Sequence, residues 1–502
     1  MASTSHWYAV LLFLGFAALV ERLFSTIEPY MDEVFHIPQA QAYCQGGFDV
    51  WDPKITTFPG LYLAAFVFLA FPIWLLRAAG VELDYELCST RALRSLNIIF
   101  GVGTLLVMHR IIRRQEPNNA KAAAWALTLS LSPTTWFFLF LFYTDVGGTF
   151  FILLAFDLST PREPHERPTP GRFAAAALAC SLSILFRQTN AVWVMFIFGV
   201  SCLRDLEGSL RWGPRLSAAP ADSAAGPFVV AQLVCLARGL VSDAPRLLFS
   251  RGLALLLLPP LGFAYFVAVL NGGFIVVGDH ENHSPERPHF AMVFYLYLIT
   301  ALPLAIDLLC AALVSGTGKA LGAVIEDVRW VSGNSKSRLF SCTIIAALTA
   351  ISVHLLRHYS IAHPFLLSDN RHYTFYVWRK FLGNPSLPWL RESLAPVYLV
   401  AAMLVSSRLS HVTSSRTLWP VIWLVASVLT LVPSPLLEPR YFTTAYSIAQ
   451  CHMRSYGANG VRPWASICLT ALLFLTIDLI TVAVFIGRPF TWPDGSTARF
   501  MW

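Results

Sequence analysis

Residues 7–44 read WYAVLLFLGFAALVERLFSTIEPYMDEVFHIPQAQAYC, an apolar run followed by a short polar break and then two adjacent acids with an imidazole three positions on. The run 7–20 has no basic stretch before it and no small-residue cleavage pattern ahead of Glu21-Arg22, so it reads as a retained membrane span and not as a signal peptide. Similar runs recur to the end of the chain. Of its 502 residues 56% are hydrophobic and 13% charged, with a mean hydropathy of +0.58, against about a quarter charged in soluble domains. This composition predicts an all-α polytopic membrane protein, with 1–502 as a single membrane domain. Lys and Arg exceed Asp and Glu by 36 to 29. In a membrane protein that excess marks cytosolic loops, and nucleic acid is not implied.

Basic clusters stand at Arg110/Arg113/Arg114/Lys121, Arg162/Arg167/Arg172, Arg204 to Arg251, Lys319 to Arg338, Arg408/Arg416 and Arg454/Arg462. Placing all of them in the cytosol threads about thirteen apolar segments across the bilayer, from 7–25 and 92–109 to 464–486. Residues 60–76 resist this scheme. Counting them as a span would push the 110–121 cluster to the other side, so they are expected as a juxtamembrane or re-entrant helix interrupted near Pro72. On the opposite, exoplasmic face lie 26–91, 143–145, 187–190, 271–289, 361–393, 433–440 and the C-terminal tail, where most of the unusual polar clusters gather. Polar groups on loops held by rigid helices make a candidate site. The nine cysteines show no C-x-x-C spacing; Cys44 and Cys88 alone share loops on one predicted face and could form a disulfide.

Each cluster has a plain structural alternative. In a helix from Asp32, the residues Asp32, His36, Gln39 and Tyr43 share one face, with a kink at Pro38; the alternative is a solvated interfacial helix. A single histidine after the two acids does not make the two-histidine zinc motif of proteases. Asp52 and Lys54 lie among Gly and Pro turn signals, where a turn alone explains the glycines. Asp145 opens a span and could be only a helix cap. Arg187, within an apolar hairpin, is costly unless it has a function. The 271–289 loop carries Asp279, His280, Glu281, His283, Glu286 and His289 without a recurrent metal-ligand spacing, and Asn282-His283-Ser284 is a glycosylation pattern. Asp369, Arg371, His372 and Tyr373 fall in an aromatic, basic stretch suited to phosphate and sugar, though the rings also suit a membrane interface. Arg440 follows Glu438 and could simply pair with it.

Acids and cations on one face of an apolar bundle suit group transfer from a lipid-linked phosphate. A carboxylate would deprotonate the acceptor hydroxyl and cations would stabilise the departing phosphate. A transporter would instead place ionisable groups near the midplane on broken helices, and the break at Pro259-Pro260 has none.

The blocks MDEVFHIPQAQAYCQGGFDVWDPKITTFPGLY, LFYTDVGG, FRQTNAVWV, NGGFIVVGD, HPFLLSDNRHYTFYVWRK, LLEPRYF and RPFTWPDGSTARFMW together resemble the endoplasmic-reticulum alpha-1,2-glucosyltransferases that use dolichyl-phosphate glucose. The resemblance runs in order from about residue 7 to the tail. It implies a GT-C type fold with about 13–14 membrane helices and lumenal juxtamembrane helices in the first loop, 26–91. It also implies a dolichyl-phosphate glucose donor, a Glc2Man9GlcNAc2-diphosphodolichol acceptor, inversion without a covalent intermediate, and no metal or other cofactor. The expected setting is multi-pass in the endoplasmic-reticulum membrane, among its lipids, with the site facing the lumen. Related transferases of alpha-1,3-glucose or mannose are the nearest alternatives.

Carried onto this sequence, the resemblance makes Asp32 the general base, with Glu33 as second choice. Arg371 and His372 would meet the donor phosphate, with Arg187 and Arg440 behind them. His36, Asp52, Lys54, Asp145, Asp279, His283, Asp369 and Tyr373 would line the substrates. The chain departs from the expected pattern at His280 and Glu281, and 204–250 reads as a cytosolic insertion without catalytic content.

Overall fold

The computed structural model describes residues 4–81, 88–161, 168–217, 225–278, 287–332, 338–457 and 462–502. They are mostly helical; the one sheet is a two-stranded antiparallel hairpin, Phe490–Thr491 with Thr497–Ala498. Among the described residues seven helices are long and apolar enough to cross a membrane, or eight if the pair Asn119–Ser130 and Pro133–Phe140, bent by 63°, is one span. Shorter apolar helices, Pro170–Phe186 and Leu418–Leu431 among them, account for further segments expected to cross.

Gly60–Ala78 lacks the break expected near Pro72. It runs as one helix of 19 residues with the length of a span. Pro72 does not interrupt it, because a π-helical turn at Phe66–Ala70 lies just ahead and places the proline in the first turn of the segment that follows, where its missing N–H is not needed.

The chain divides into two compact units. Met1–Val194, Leu256–Ser284 and Phe474–Arg499 form the first; Met195–Leu255, Pro285–Leu473 and Phe500–Trp502 form the second. The core of the first unit is aromatic: Phe24 packs on Phe140 at 5.3 Å and on Phe485 at 5.1 Å, and Phe13 meets Trp136 edge-on at 5.3 Å. Two glycines allow close approaches in it. A Cβ on Gly60 would stand 2.5 Å from the Leu185 backbone, and one on Gly147 would overlap the Phe186 ring. Cys44, at the end of Glu33–Cys44, is disulfide-bonded to Cys88, just before the helix Thr90–Ile112.

In the second unit, Trp419 packs on Phe196 and Tyr297 on Trp423, both at 5.6 Å. The expected insertion is built into this unit. Gln232 donates to the backbone oxygens of Leu216 and Ser415, and Glu207 accepts from Ser415 N–H.

Candidate functional site

Two features set the position of Asp32. Met31 adopts φ +56°, a left-handed conformation that costs a side-chain-bearing residue about 1–2 kcal/mol. The helix Glu33–Cys44 then begins, with the Asp32 carbonyl accepting from Phe35 and His36 N–H. The Asp32 N–H donates to the Tyr143 hydroxyl at 3.2 Å, so the YTD turn reaches the start of this helix.

Glu33 turns the other way. Its carboxylate is fully buried and accepts four hydrogen bonds: from Arg94 Nε at 2.9 Å and Nη2 at 2.7 Å, from Phe142 N–H at 2.7 Å and from Tyr30 N–H at 3.1 Å. That fills the acceptor capacity of a carboxylate. Glu33, expected as the second-choice base, has these acceptor sites filled. Arg94 also donates to the carbonyls of Phe24, Ile27 and Glu28, tying down the chain after the first helix. Three residues along, Asn97 donates to the carbonyls of Leu141 and Tyr143.

The polar face expected on this helix exists. His36 Nδ1 lies 2.6 Å from the Tyr62 hydroxyl, and Tyr43 meets the same Tyr62 ring edge-on at 5.7 Å. Gln39 clamps the following loop, donating to the Val50 carbonyl and accepting from Asp52 N–H. The helix continues through Pro38 to Cys44. Asp52 takes the Lys54 backbone N–H, and the Lys54 ammonium sits over the Phe35 ring at 5.2 Å, so these two residues shape a turn.

Asp145 does not cap its helix. It lies buried in the first turn of Thr144–Ser159 and pairs with Arg187, which follows Pro170–Phe186. The YTD and RQTN turns thus meet, and Gly147 makes room for the Phe186 ring between them. Arg187, expected at the donor phosphate, has a carboxylate partner of its own. Gln188 donates to the Thr56 carbonyl of the first loop.

In the second unit, Arg371 grips Asp369 with Nε at 2.8 Å and Nη2 at 2.7 Å. Burial raises the Asp369 pKa, but hydrogen bonds from Arg371 and the nearby His372 outweigh it and leave the carboxyl below its ordinary value. His372 Nδ1 lies 3.0 Å from the backbone oxygen of Trp502, and the Tyr373 ring faces the Trp502 ring at 5.0 Å. Arg440 pairs with Glu438, as the plain alternative held. Asp279 and His283 lie outside the described residues. Among the described residues no three His, Cys, Asp or Glu side chains gather as metal ligands would.

The braces Arg94 and Asn97, and the aromatic partner Tyr62, were not singled out from the sequence. An arginine and an asparagine at i and i+3 inside the apolar run 90–112 carried the signal, because polar groups within spans need a reason.

This arrangement has relatives. An alpha-1,2-glucosyltransferase of Arabidopsis thaliana, named Dol-P-Glc:Glc(2)Man(9)GlcNAc(2)-PP-Dol alpha-1,2-glucosyltransferase, is 32% identical over 95% of this chain and 95% of its own. Proteins of the same name from Homo sapiens and Rattus norvegicus are 29% and 31% identical over 95% of this chain and 93% of theirs. The solved apo structure of ArnT from Cupriavidus metallidurans matches 88% of this chain and 77% of that one at 14% identity and a TM-score of 0.33, a likeness too slight to transfer any residue or activity. The sequence profile of the DIE2/ALG10 family matches residues 26–451, and the chain belongs to that family.

Proposed function

We propose that this protein is an inverting alpha-1,2-glucosyltransferase of GT-C type that moves glucose from dolichyl-phosphate glucose to Glc2Man9GlcNAc2-diphosphodolichol, in the endoplasmic-reticulum membrane with its site facing the lumen. The observation that carries the reading is the shared name of relatives aligned over 95% of the chain. In the reaction an acceptor hydroxyl oxygen bonds to the anomeric carbon as the bond from that carbon to the phosphate oxygen breaks. The hydroxyl proton passes to Asp32, and dolichyl phosphate leaves with the bonding electrons.

Asp32 suits the base role because Glu33 beside it has its acceptor sites filled while the Asp32 side chain is half-buried. Arg371 and His372 suit the leaving phosphate, as a planar fork and a ring N–H donor, and the Arg371 charge can take the place of a metal. Asp145, tied to Arg187, orients the acceptor.

The test is transfer by purified full-length enzyme with synthetic donor and acceptor, in the presence of a chelator. Wild type is expected to retain its rate, and Asp32→Asn to lose roughly 100-fold or more in kcat, as removal of a general base does, with an unchanged unfolding temperature. Near-normal turnover by the folded variant would place the base elsewhere.

A further inference from the structure

We propose that Phe500–Trp502 is a positioning element of the 369–373 loop, and that the Trp502 backbone oxygen selects which His372 nitrogen faces the donor phosphate; this rests on the reading of that loop as the phosphate site. The loop lies between two five-residue helices, Pro364–Ser368 and Tyr373–Val377, which give it little local rigidity. Its geometry is imposed by the tail. Met501 N–H donates to the Arg371 carbonyl and Tyr373 N–H to the Met501 carbonyl, both at 2.9 Å, forming a parallel bridge between His372 and Met501. Met501 is buried, the Trp502 ring meets Tyr373 edge-on, and Phe500 lies 6.0 Å from Tyr376. The residues carrying the cations are therefore pinned from both sides of His372 by backbone groups.

The chemistry at His372 follows from the Trp502 contact. A backbone oxygen only accepts, so the Nδ1 atom 3.0 Å away must carry the hydrogen. Nε2 is then the nitrogen left to work. It lies 3.8 Å from Asp369 Oδ2, on the carboxylate that Arg371 already forks. A phosphate oxygen entering beside Asp369 would meet the Arg371 fork and, in the protonated ring, the Nε2 hydrogen. Without the Trp502 contact the ring could flip and direct Nδ1 there instead. Partners of this kind fix ligand-bearing histidines at metal sites in the same way.

The test compares Met501→Pro, which deletes the N–H to Arg371, with Met501→Leu, which keeps it, in transfer assays on the full-length enzyme. Met501→Pro is expected to raise the KM for dolichyl-phosphate glucose about tenfold, the loss of one hydrogen bond to a site of charge. The acceptor KM should hold, and Met501→Leu should stay near wild type. His372→Gln, whose amide reaches the Nε2 position, should retain more donor affinity than His372→Asn, whose amide stops at Nδ1. The proposal is overturned if Met501→Pro and Met501→Leu share one donor KM, or if Met501→Pro raises both KM values alike with a lower unfolding temperature. If Arg371→Ala and His372→Asn leave the donor KM unchanged, it is the phosphate reading of the loop that has failed.

Discussion

Two acid–arginine forks of nearly equal length stand in different surroundings in this molecule. Glu33 takes Arg94 at 2.9 and 2.7 Å, and Asp369 takes Arg371 at 2.8 and 2.7 Å. The first pair joins residues 61 apart in sequence, with side chains 0% and 4% exposed; the second joins residues two apart, 17% and 25% exposed. Glu33 and Arg94 have further backbone partners that saturate both groups, whereas the Asp369 fork joins two residues of one turn. A sealed long-range pair is costly to break because the survivor is a buried charge, while an accessible local pair can exchange one anion for another at small cost. Distance alone would rank these two pairs as equals.

The largest effect should come from breaking the sealed pair. Glu33→Gln leaves the Arg94 charge uncompensated and is expected to lose about 3 kcal/mol of stability, the lower end for a broken buried pair. Thermal unfolding in detergent measures it. Replacing both partners, Glu33→Gln with Arg94→Met, removes the buried charge but takes the Arg94 donor from the carbonyls of Phe24, Ile27 and Glu28, so it should recover only part of the loss. If Glu33→Gln unfolds at the wild-type temperature yet transfers no glucose, Glu33 belongs with the chemistry and the contrast between the pairs collapses.

Arg371→Ala should behave in the opposite manner. Its fold is expected to survive, and the donor KM to rise by roughly 10- to 100-fold, as for loss of a charged bidentate contact. Arg408 would make a poor control, since it forks onto buried Asp327 beside the Tyr456 hydroxyl. Arg238, exposed in the second unit, serves instead, and Arg238→Ala should leave donor KM unchanged. A lower unfolding temperature for Arg371→Ala with no change in donor KM would make this pair a second brace.

Much of this was readable in the chain, and the parts that were not share a cause. Apolar runs and their spacing gave the helices and local order the D-E-x-x-H face, while the Cys44–Cys88 bridge and the Glu438–Arg440 pair stood as open alternatives that the structure contains. The filling of the Glu33 acceptor sites was not readable. It depends on Arg94 and Phe142, 61 and 109 residues away, and no pattern within a window of the acids could reveal that one carboxylate would be saturated. Pro72 misled for a related reason. Proline signals a break, but a π turn just ahead of it leaves Pro72 in the first turn of the next segment, where no N–H is needed. The tail contact on His372 spans 130 residues and ends on a backbone oxygen, which leaves no trace in side-chain identity.

The smallest effect expected tests sealing without a counter-charge. His289 is fully buried just before the helix Ala291–Ser315, with its N–H on the Val432 carbonyl at 2.8 Å and no ion-pair partner among the described residues. Burial pulls its pKa down to about 4, against a weaker opposite pull from the Ser434 backbone. An unfolded histidine takes its proton near 6.5, so between that value and 4 the unfolded state binds more protons than the folded one. Stability is then full above 6.5 and declines as pH falls, by about 1 kcal/mol at pH 5.5. His289→Gln should flatten the difference in unfolding temperature between pH 7.5 and pH 5.5, whatever it does to the absolute value. An unchanged pH dependence in the variant would mean that the buried imidazole finds a charge partner, and that sealing in this protein always comes with pairing.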